Sequence, residues 1–268
     1  MKLTELVAAL KEGGIDNYRG EAKQLFCHFG SFTPLDLVGQ NPSLDTPLLT
    51  DALARRLSGE PLQYILGEAF FYGEVYEVSP DCLIPRPDTE VLVEEALRLL
   101  PQGAHFADLC TGSGCIAIST LAHRTDVTAQ AYDISKGALA IAQRNALKNG
   151  VSDRVTFHHC DILAEMPQGT FSAILSNPPY IASSVVDTLS PEVQREPHIA
   201  LDGGEDGMDF YRAILEGGKE SLTEDGFFLF EIGYDQEDAI TALALAHGFA
   251  CRIIKDYGGN PRVAHLTK

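Results

Sequence analysis

Two glycines behind an acid, two further acids spaced along the chain, and an asparagine followed by two prolines are the residues whose types and spacing could do chemistry. The stretch A-D-L-C-T-G-S-G-C-I-A-I, residues 107–118, reads as a strand end, a glycine-containing loop and a helix start. Gly112 and Gly114 let the backbone pass close to a ligand, and the following helix presents free N–H groups. A tight strand-to-helix turn would explain the glycines alone. It would not explain Asp133, which closes the next strand about 20 residues on, where an acid can accept both ribose hydroxyl hydrogens. Together they point to a nucleoside-containing cofactor.

The acids say which one. A dinucleotide fingerprint has a third glycine where this chain has Ala117, a permitted variant. But the loop opens on an acid, Asp108, and the third strand of the series also ends in one, Asp161. Carboxylates close to the glycine loop would repel a pyrophosphate. They suit an ammonium and a sulfonium, the two positive centres of S-adenosylmethionine.

The elements that must position these residues follow from the apolar pattern. Residues 1–66 read as short helices: the first carries Leu3, Leu6, Val7 and Leu10, and a later one Leu49, Ala52, Leu53 and Leu57. G-E-A-K-Q-L-F-C-H-F, T-P-L-D-L-V-G and P-L-Q-Y-I-L-G read as further short helices. Aromatic and β-branched residues around Gly73 (69–80) predict a linker hairpin. From residue 88 strands alternate with helices, the strand-like runs being 104–110, 127–133, 154–160, 170–176 and 226–232. This predicts an α/β fold with a mainly parallel sheet covered on both faces, its final strand pair antiparallel. The organisation expected is a helical bundle over 1–68, a linker hairpin over 69–86 and a catalytic domain over 87–268.

One strand ends unusually. In F-S-A-I-L-S-N-P-P-Y-I-A-S-S, residues 171–184, an apolar run stops at Ser176 and Asn177, Pro178, Pro179 and Tyr180 follow at once. No sheet interior admits two prolines, so the strand must end in a rigid corner.

Composition narrows the surroundings. Hydrophobic residues make up 45% and charged residues 22%, a globular balance, and the formal charge is −18. An acidic chain disfavours binding dominated by phosphate neutralisation. The six cysteines include no C-x-x-C pair, no secretory signal is recognisable, and no apolar run reaches a membrane span, so a cytoplasmic chain with reduced thiols is expected.

D-L-x-T-G-S-G, the second-strand acid, the third-strand Asp and N-P-P-Y after the fourth strand resemble the class I methyltransferases that act on amide or amino nitrogens. More narrowly, the chain resembles the PrmC/HemK family, the protein-(glutamine-N5) methyltransferases of peptide chain release factors. L-I-P-R-P-D-T-E (83–90), E-P-H-I-A-L-D-G-G-E-D-G-M-D-F-Y-R (196–212), F-E-I-G (230–233) and D-Y-G-G-N-P-R-V (256–263) carry that narrower likeness. It implies a Rossmann-like seven-stranded sheet with its last strand antiparallel, S-adenosylmethionine as donor and S-adenosylhomocysteine as product. No metal is implied. The implied acceptor is the glutamine of the release factors' G-G-Q loop, with the helical N-terminal part as docking surface and no direct nucleic-acid or membrane partner.

Carried over residue by residue, Asp108 and the loop Cys110, Thr111, Gly112, Ser113 and Gly114 would pass the methionine part of the cofactor. Asp133 would hold the ribose, and Asp161 with Ile162 would border the adenine. Asn177 would stand between cofactor and substrate. The family most often has glycine at the position of Cys110, so a required positive φ there would cost stability. At the corner, the Asn177 side-chain oxygen and the Pro178 carbonyl can accept both N–H bonds of an amide. Pro178 and Pro179 add no competing donor. Tyr180 offers a flat face. The same corner would suit the exocyclic amine of adenine or cytosine, and a non-catalytic cofactor-binding scaffold is a third reading. The acidic charge favours glutamine over a base, and intact Asn177 and Tyr180 disfavour the scaffold.

Two other clusters are set aside. His158, His159, Cys160 and Asp161 are consecutive strand residues facing opposite sides, which cannot all reach one ion. The D-G-G-E-D-G segment (202–207) lacks EF-hand spacing and reads as a loop closing near the substrate.

Overall fold

The computed structural model describes residues 1–268 and resolves two units, Met1–Gly67 with Pro191–Arg195, and Glu68–Ser190 with Glu196–Lys268. The first contains α1 (Leu3–Glu12), α2 (Tyr18–Gly30), α3 (Pro47–Leu57) and the single-turn α4 (Leu62–Leu66). Leu3, Leu6 and Leu10 of α1 meet Leu25 and Phe26 of α2 and Leu49 and Ala52 of α3 in one core. Thr46 caps α3, its hydroxyl accepting the Leu48 N–H, and Pro47 needs no partner at the first helical position. The stretch around Leu35 is only a 3-10 turn, because Asp36 accepts from the Thr33 N–H and hydroxyl and caps it at once. Within this unit Arg56 is buried, with 3% exposure; it donates to Glu21 at 2.6 and 3.0 Å and to Glu192 at 2.5 Å. Pro191–Arg195 is thereby anchored to the helices.

The second unit opens with the hairpin β1 (Glu68–Phe71) and β2 (Glu74–Glu77). Its turn residues Tyr72 and Gly73 both have positive φ, 50° and 89°, as a two-residue hairpin turn matched to strand twist requires. Then come α5 (Glu90–Leu99), β3 (His105–Leu109), α6 (Cys115–His123), β4 (Thr128–Asp133), α7 (Lys136–Lys148), β5 (Val155–His159) and β6 (Phe171–Ser176). The chain continues through α8 (Ser183–Val186), α9 (Asp209–Gly218), β7 (Leu222–Glu231), α10 (Glu237–Ala246), β8 (Ala250–Lys255) and β9 (Pro261–Thr267).

The sheet order is β5-β4-β3-β6-β7-β9-β8. Its first five strands pair in parallel, and β9 is antiparallel to both β7 and β8. The seven-stranded architecture with an antiparallel last strand is thus the one expected. Phe106, Leu92, Ile118 and Leu229 build the core on one face of the sheet; Leu109, Phe228, Phe230 and Tyr211 build it on the other. Each such side chain contributes about 1.5–3 kcal/mol on burial, enough in number to make the strand ends a rigid platform. No helix is long and apolar enough to cross a membrane.

Candidate active site

Chain order reverses between β3 and β6: β4 and β5 lie to one side, β7 to the other. In an open parallel sheet a crevice forms at the carboxyl ends of the strands on either side of such a switch. The two loops singled out by their residues leave from these two ends. The Ser176 hydroxyl donates to the Leu109 carbonyl at 2.7 Å, tying them together where they emerge.

A cavity of about 170 Å³ opens there. Cys110, Gly112, Asp133, Asp161, Ile162 and Asn177 line it, with Pro179 beside them. Thr111 and Ser113 line a smaller adjoining hollow shared by Cys110, Gly112 and Asn177. Gly114 stands behind, at φ 83°, where a Cβ would press on Ile118 at 2.7 Å and Ala142 at 3.1 Å. At Gly112, φ 56°, a Cβ would meet no atom within 4 Å. The loop backbone is therefore bare toward open space, as a ligand-cradling turn needs.

Asp133 organises this loop. Its two carboxylate oxygens accept the Gly112 and Ser135 N–H groups, each at 2.8 Å, and each keeps a lone pair for a hydroxyl donor. Burial raises its carboxyl above the ordinary range, and those two N–H groups pull it back. Asp108 lies deeper, fully buried, and lines neither hollow. It accepts the Thr111 hydroxyl at 2.5 Å and the Ala117 N–H at 3.2 Å, while Oδ1 has no partner. Burial pushes Asp108 up to about 7 against those two bonds, and the nearby Asp133 charge adds to the rise. It acts on the loop from beneath.

Cys110 has φ 59°, in the left-handed region. The position does demand positive φ, and a side chain there costs about 1–2 kcal/mol relative to glycine. Burial, with Asp133 next in importance, raises its thiol well above the ordinary value, so it stays protonated.

The corner after β6 is held from three sides. Gly203 and Gly207 pack on its backbone: a Cβ at Gly203 would stand 2.7 Å from the Pro179 carbonyl, and one at Gly207 would collide with that of Tyr180. Gln236 donates to the Tyr180 carbonyl at 3.0 Å and to that of Gly207 at 3.2 Å. Residues 202–207 therefore brace the corner, through a parallel bridge of Ile181 to Asp202, where the sequence suggested a loop closing over substrate. No donor of the chain reaches the Pro178 carbonyl or the Asn177 side-chain oxygen. Tyr180 lines neither hollow; its ring packs on the core and its hydroxyl donates to Glu231 at 3.3 Å.

Sequence reasoning missed Thr89, Glu231, Gln236 and Arg262 as parts of this site. Thr89 and Glu231 are each 1% exposed. Asn177 donates through Nδ2 to the Thr89 hydroxyl oxygen at 3.2 Å, and the buried Glu231 carboxylate accepts from Tyr180 through Oε1 while Oε2 has no partner. Burial raises Glu231 to about 7; the nearby Thr89 hydroxyl, the Arg262 charge and the Tyr180 bond oppose this, and Asp88 favours it. Arg262 approaches Asp88 at 3.2 Å and Asp256 at 3.3 Å. Asp88 is thus an ion-pair partner of Arg262. Glu196, nearly buried, accepts the Ile84 N–H at 3.0 Å and pairs with Arg86, which fixes residues 83–90 alongside Asn177. The one signal available was Glu231 itself, an acid directly after the apolar run Phe227–Phe230.

Fold and site together define a methyltransferase of the open, mainly parallel sheet type. A methyltransferase of known structure from Pyrococcus furiosus superposes with TM-score 0.56 at 20% identity, over 81% of this chain and 98% of that one, a likeness of fold. The Methyltransferase small domain profile matches residues 87–193, and the PrmC N-terminal domain profile residues 2–67. A release factor glutamine methyltransferase of Geobacter sulfurreducens is 40% identical over 95% of this chain and 91% of its own length. Another, from Moorella thermoacetica, is 40% identical over 97% and 95%. The chain belongs to the release factor glutamine methyltransferase family.

Proposed function

We propose that this protein transfers a methyl group from S-adenosylmethionine to the side-chain amide nitrogen of the glutamine in the G-G-Q loop of peptide chain release factors, in the cytoplasm. The observation that carries this is Asn177 Oδ1, an acceptor that no donor of the chain reaches, on a braced corner lining the cavity; Pro178, which lines neither hollow, carries a second carbonyl that no donor of the chain reaches.

The cavity suits the donor. Gly112 leaves the backbone open, Asp133 has lone pairs for ribose hydroxyls, and Asp161 with Ile162 offers an edge for an adenine. The acids favour positive charge, and bound S-adenosylmethionine supplies a methyl group activated by its sulfonium. An amide nitrogen is a poor nucleophile because its lone pair is delocalised into the carbonyl. Asn177 and Pro178, accepting its two N–H bonds, would aim that lone pair and stabilise positive charge growing on nitrogen. The acceptors are fixed before substrate arrives, so little reorganisation opposes the reaction. The nitrogen becomes strongly acidic as it gains the methyl group, so its proton can leave to water late. The helical unit would serve as the docking surface for the protein substrate.

A release factor whose loop glutamine is replaced by glutamate has no N–H₂ group to hold. It should accept no methyl group; transfer equal to that on the unmodified factor would overturn the proposal.

A further inference from the structure

We propose that Asn145, on α7, is a positioning residue for cofactor binding: its side-chain amide ties the Ser113 peptide of the glycine loop to β2 and so shapes that loop before S-adenosylmethionine arrives. The proposal rests on the cofactor reading given above and deepens it by naming what holds the donor's loop from behind.

Asn145 lines neither hollow and is fully buried, at 0% exposure. A buried side-chain amide must place one acceptor and two donor hydrogens, and this one places all three. Its oxygen accepts the Glu77 N–H at 2.6 Å. Its nitrogen donates to the Glu77 carbonyl at 3.0 Å and to the Ser113 carbonyl at 2.9 Å. Toward Glu77 the amide therefore stands in for a neighbouring strand, and its spare hydrogen reaches the loop.

The bond to Ser113 fixes a whole peptide plane. Asn145 holds the carbonyl, and the N–H of the same peptide, that of Gly114, donates to the Thr111 carbonyl at 2.8 Å. Turned over, this peptide would set the Ser113 and Thr111 carbonyls against each other and leave a buried Asn145 N–H unpaired. Asp133 pins the loop one residue earlier, by accepting the Gly112 N–H at 2.8 Å. Ala142, one turn before Asn145 on the same face of α7, is small enough for Gly114 to lie against it. The anchor is itself fixed to both helices that flank the loop. The hydroxyls of Tyr76 on β2 and Ser119 on α6 share a hydrogen bond of 2.6 Å, and Arg144 on α7 pairs with the Glu77 carboxylate at 2.7 Å. A loop shaped in this way loses little further freedom when it takes its ligand.

Two variants of the full chain test the role. N145D keeps the side-chain shape and the acceptor for Glu77, and removes both donors. Calorimetry with S-adenosylhomocysteine, below the onset of melting, should find its affinity lower by more than about tenfold. With S-adenosylmethionine raised to saturation, kcat on the release factor should stay within about threefold of wild type, because Asn145 reaches no reacting atom. A146G is the control: it weakens the same helix next to Asn145 without a polar contact to lose, and should leave the affinity within about twofold. N145D affinity within about threefold of wild type would overturn the proposal, as would an equal loss in A146G.

A second measurement needs neither activity nor a stable variant. In ¹⁵N spectra of the ligand-free wild-type protein the Asn145 side-chain amide, assigned by its contacts with Glu77 and Ser113 protons, should exchange slowly with water. It should hold its position when S-adenosylhomocysteine is added. Exchange that is fast until the ligand binds would overturn the prior shaping of the loop. If wild-type protein binds S-adenosylhomocysteine with this amide protected but methylates no release factor, the proposed substrate falls and the role of Asn145 stands.

Discussion

At Asn177 the accepting oxygen is free because the nitrogen is engaged by Thr89. Truncating the side chain removes one of two acceptors and touches the cofactor side only at its rim. Asn177→Ala should lower turnover by about a hundredfold or more. Steady-state kinetics would show it, while calorimetry should find cofactor affinity changed by less than about tenfold, some 1.4 kcal/mol; near-wild-type turnover would refute the acceptor role. Cys110 offers a different test, because its φ of 59° is strained for any side chain. Cys110→Gly relieves about 1–2 kcal/mol of strain and returns part of it as unfolded-state entropy, so melting should be unchanged or slightly raised. Cys110→Val, branched at Cβ, should melt lower, and the reverse order would contradict the conformational argument. Asn177, Gly112 and Asp133 were legible because glycines, prolines and strand-end acids leave local marks. Thr89 and Arg262 left none, and Glu231 only a lone acid after an apolar run: they meet only when separated strand and linker ends are brought together, and Tyr180 read as a flat face because nothing local reveals where its ring will pack.

Among the elements, the loop between residues 202 and 207 does the least expected work. Its sequence reads as a loop closing near the substrate, yet Gly203 and Gly207 let two backbones touch. Gly207→Ala combines a φ of 74° with a collision at the Tyr180 carbonyl. It should lower kcat by more than about tenfold and stability by more than the 1–2 kcal/mol of strain alone. Gly14→Ala, at φ 80° with nothing within 4 Å, is the control: about 1–2 kcal/mol of stability and no loss of kcat. Equal kinetic effects from the two variants would mean that the loop does not brace the corner. Strand order was legible in outline, since alternating strands and helices dictate a parallel sheet. The brace was not, because a single bridge between Ile181 and Asp202 carries no periodic signal.

The whole molecule is acidic, and two of its carboxyls are buried at the base of the site. Asp108 and Glu231 keep their protons to about 7 in the folded chain and, unfolded, release them near their ordinary 3.8 and 4.5. The folded state binds more protons between those values, so the stability these two groups contribute falls as pH rises through that window. Asp108→Asn removes one of them, and its melting advantage over wild type should be larger at pH 8 than at pH 5; a pH-independent difference would contradict the burial argument. The helical unit and the sheet unit each have their own core. Deleting residues 1–67 should therefore raise KM for the release factor while cofactor binding persists; an unchanged KM would exclude docking there. The acidic charge favours a protein substrate over nucleic acid, but charge names no residue on the substrate. The most direct measurement supplies that name. The protein is incubated with methyl-labelled S-adenosylmethionine, a peptide chain release factor and, separately, tRNA, ribosomal RNA and DNA, and the acceptor is mapped by mass. One methyl group on the glutamine of the G-G-Q loop, with none on nucleic acid, is the predicted result. Label on an adenine or cytosine, or on any other residue of the factor, would contradict it.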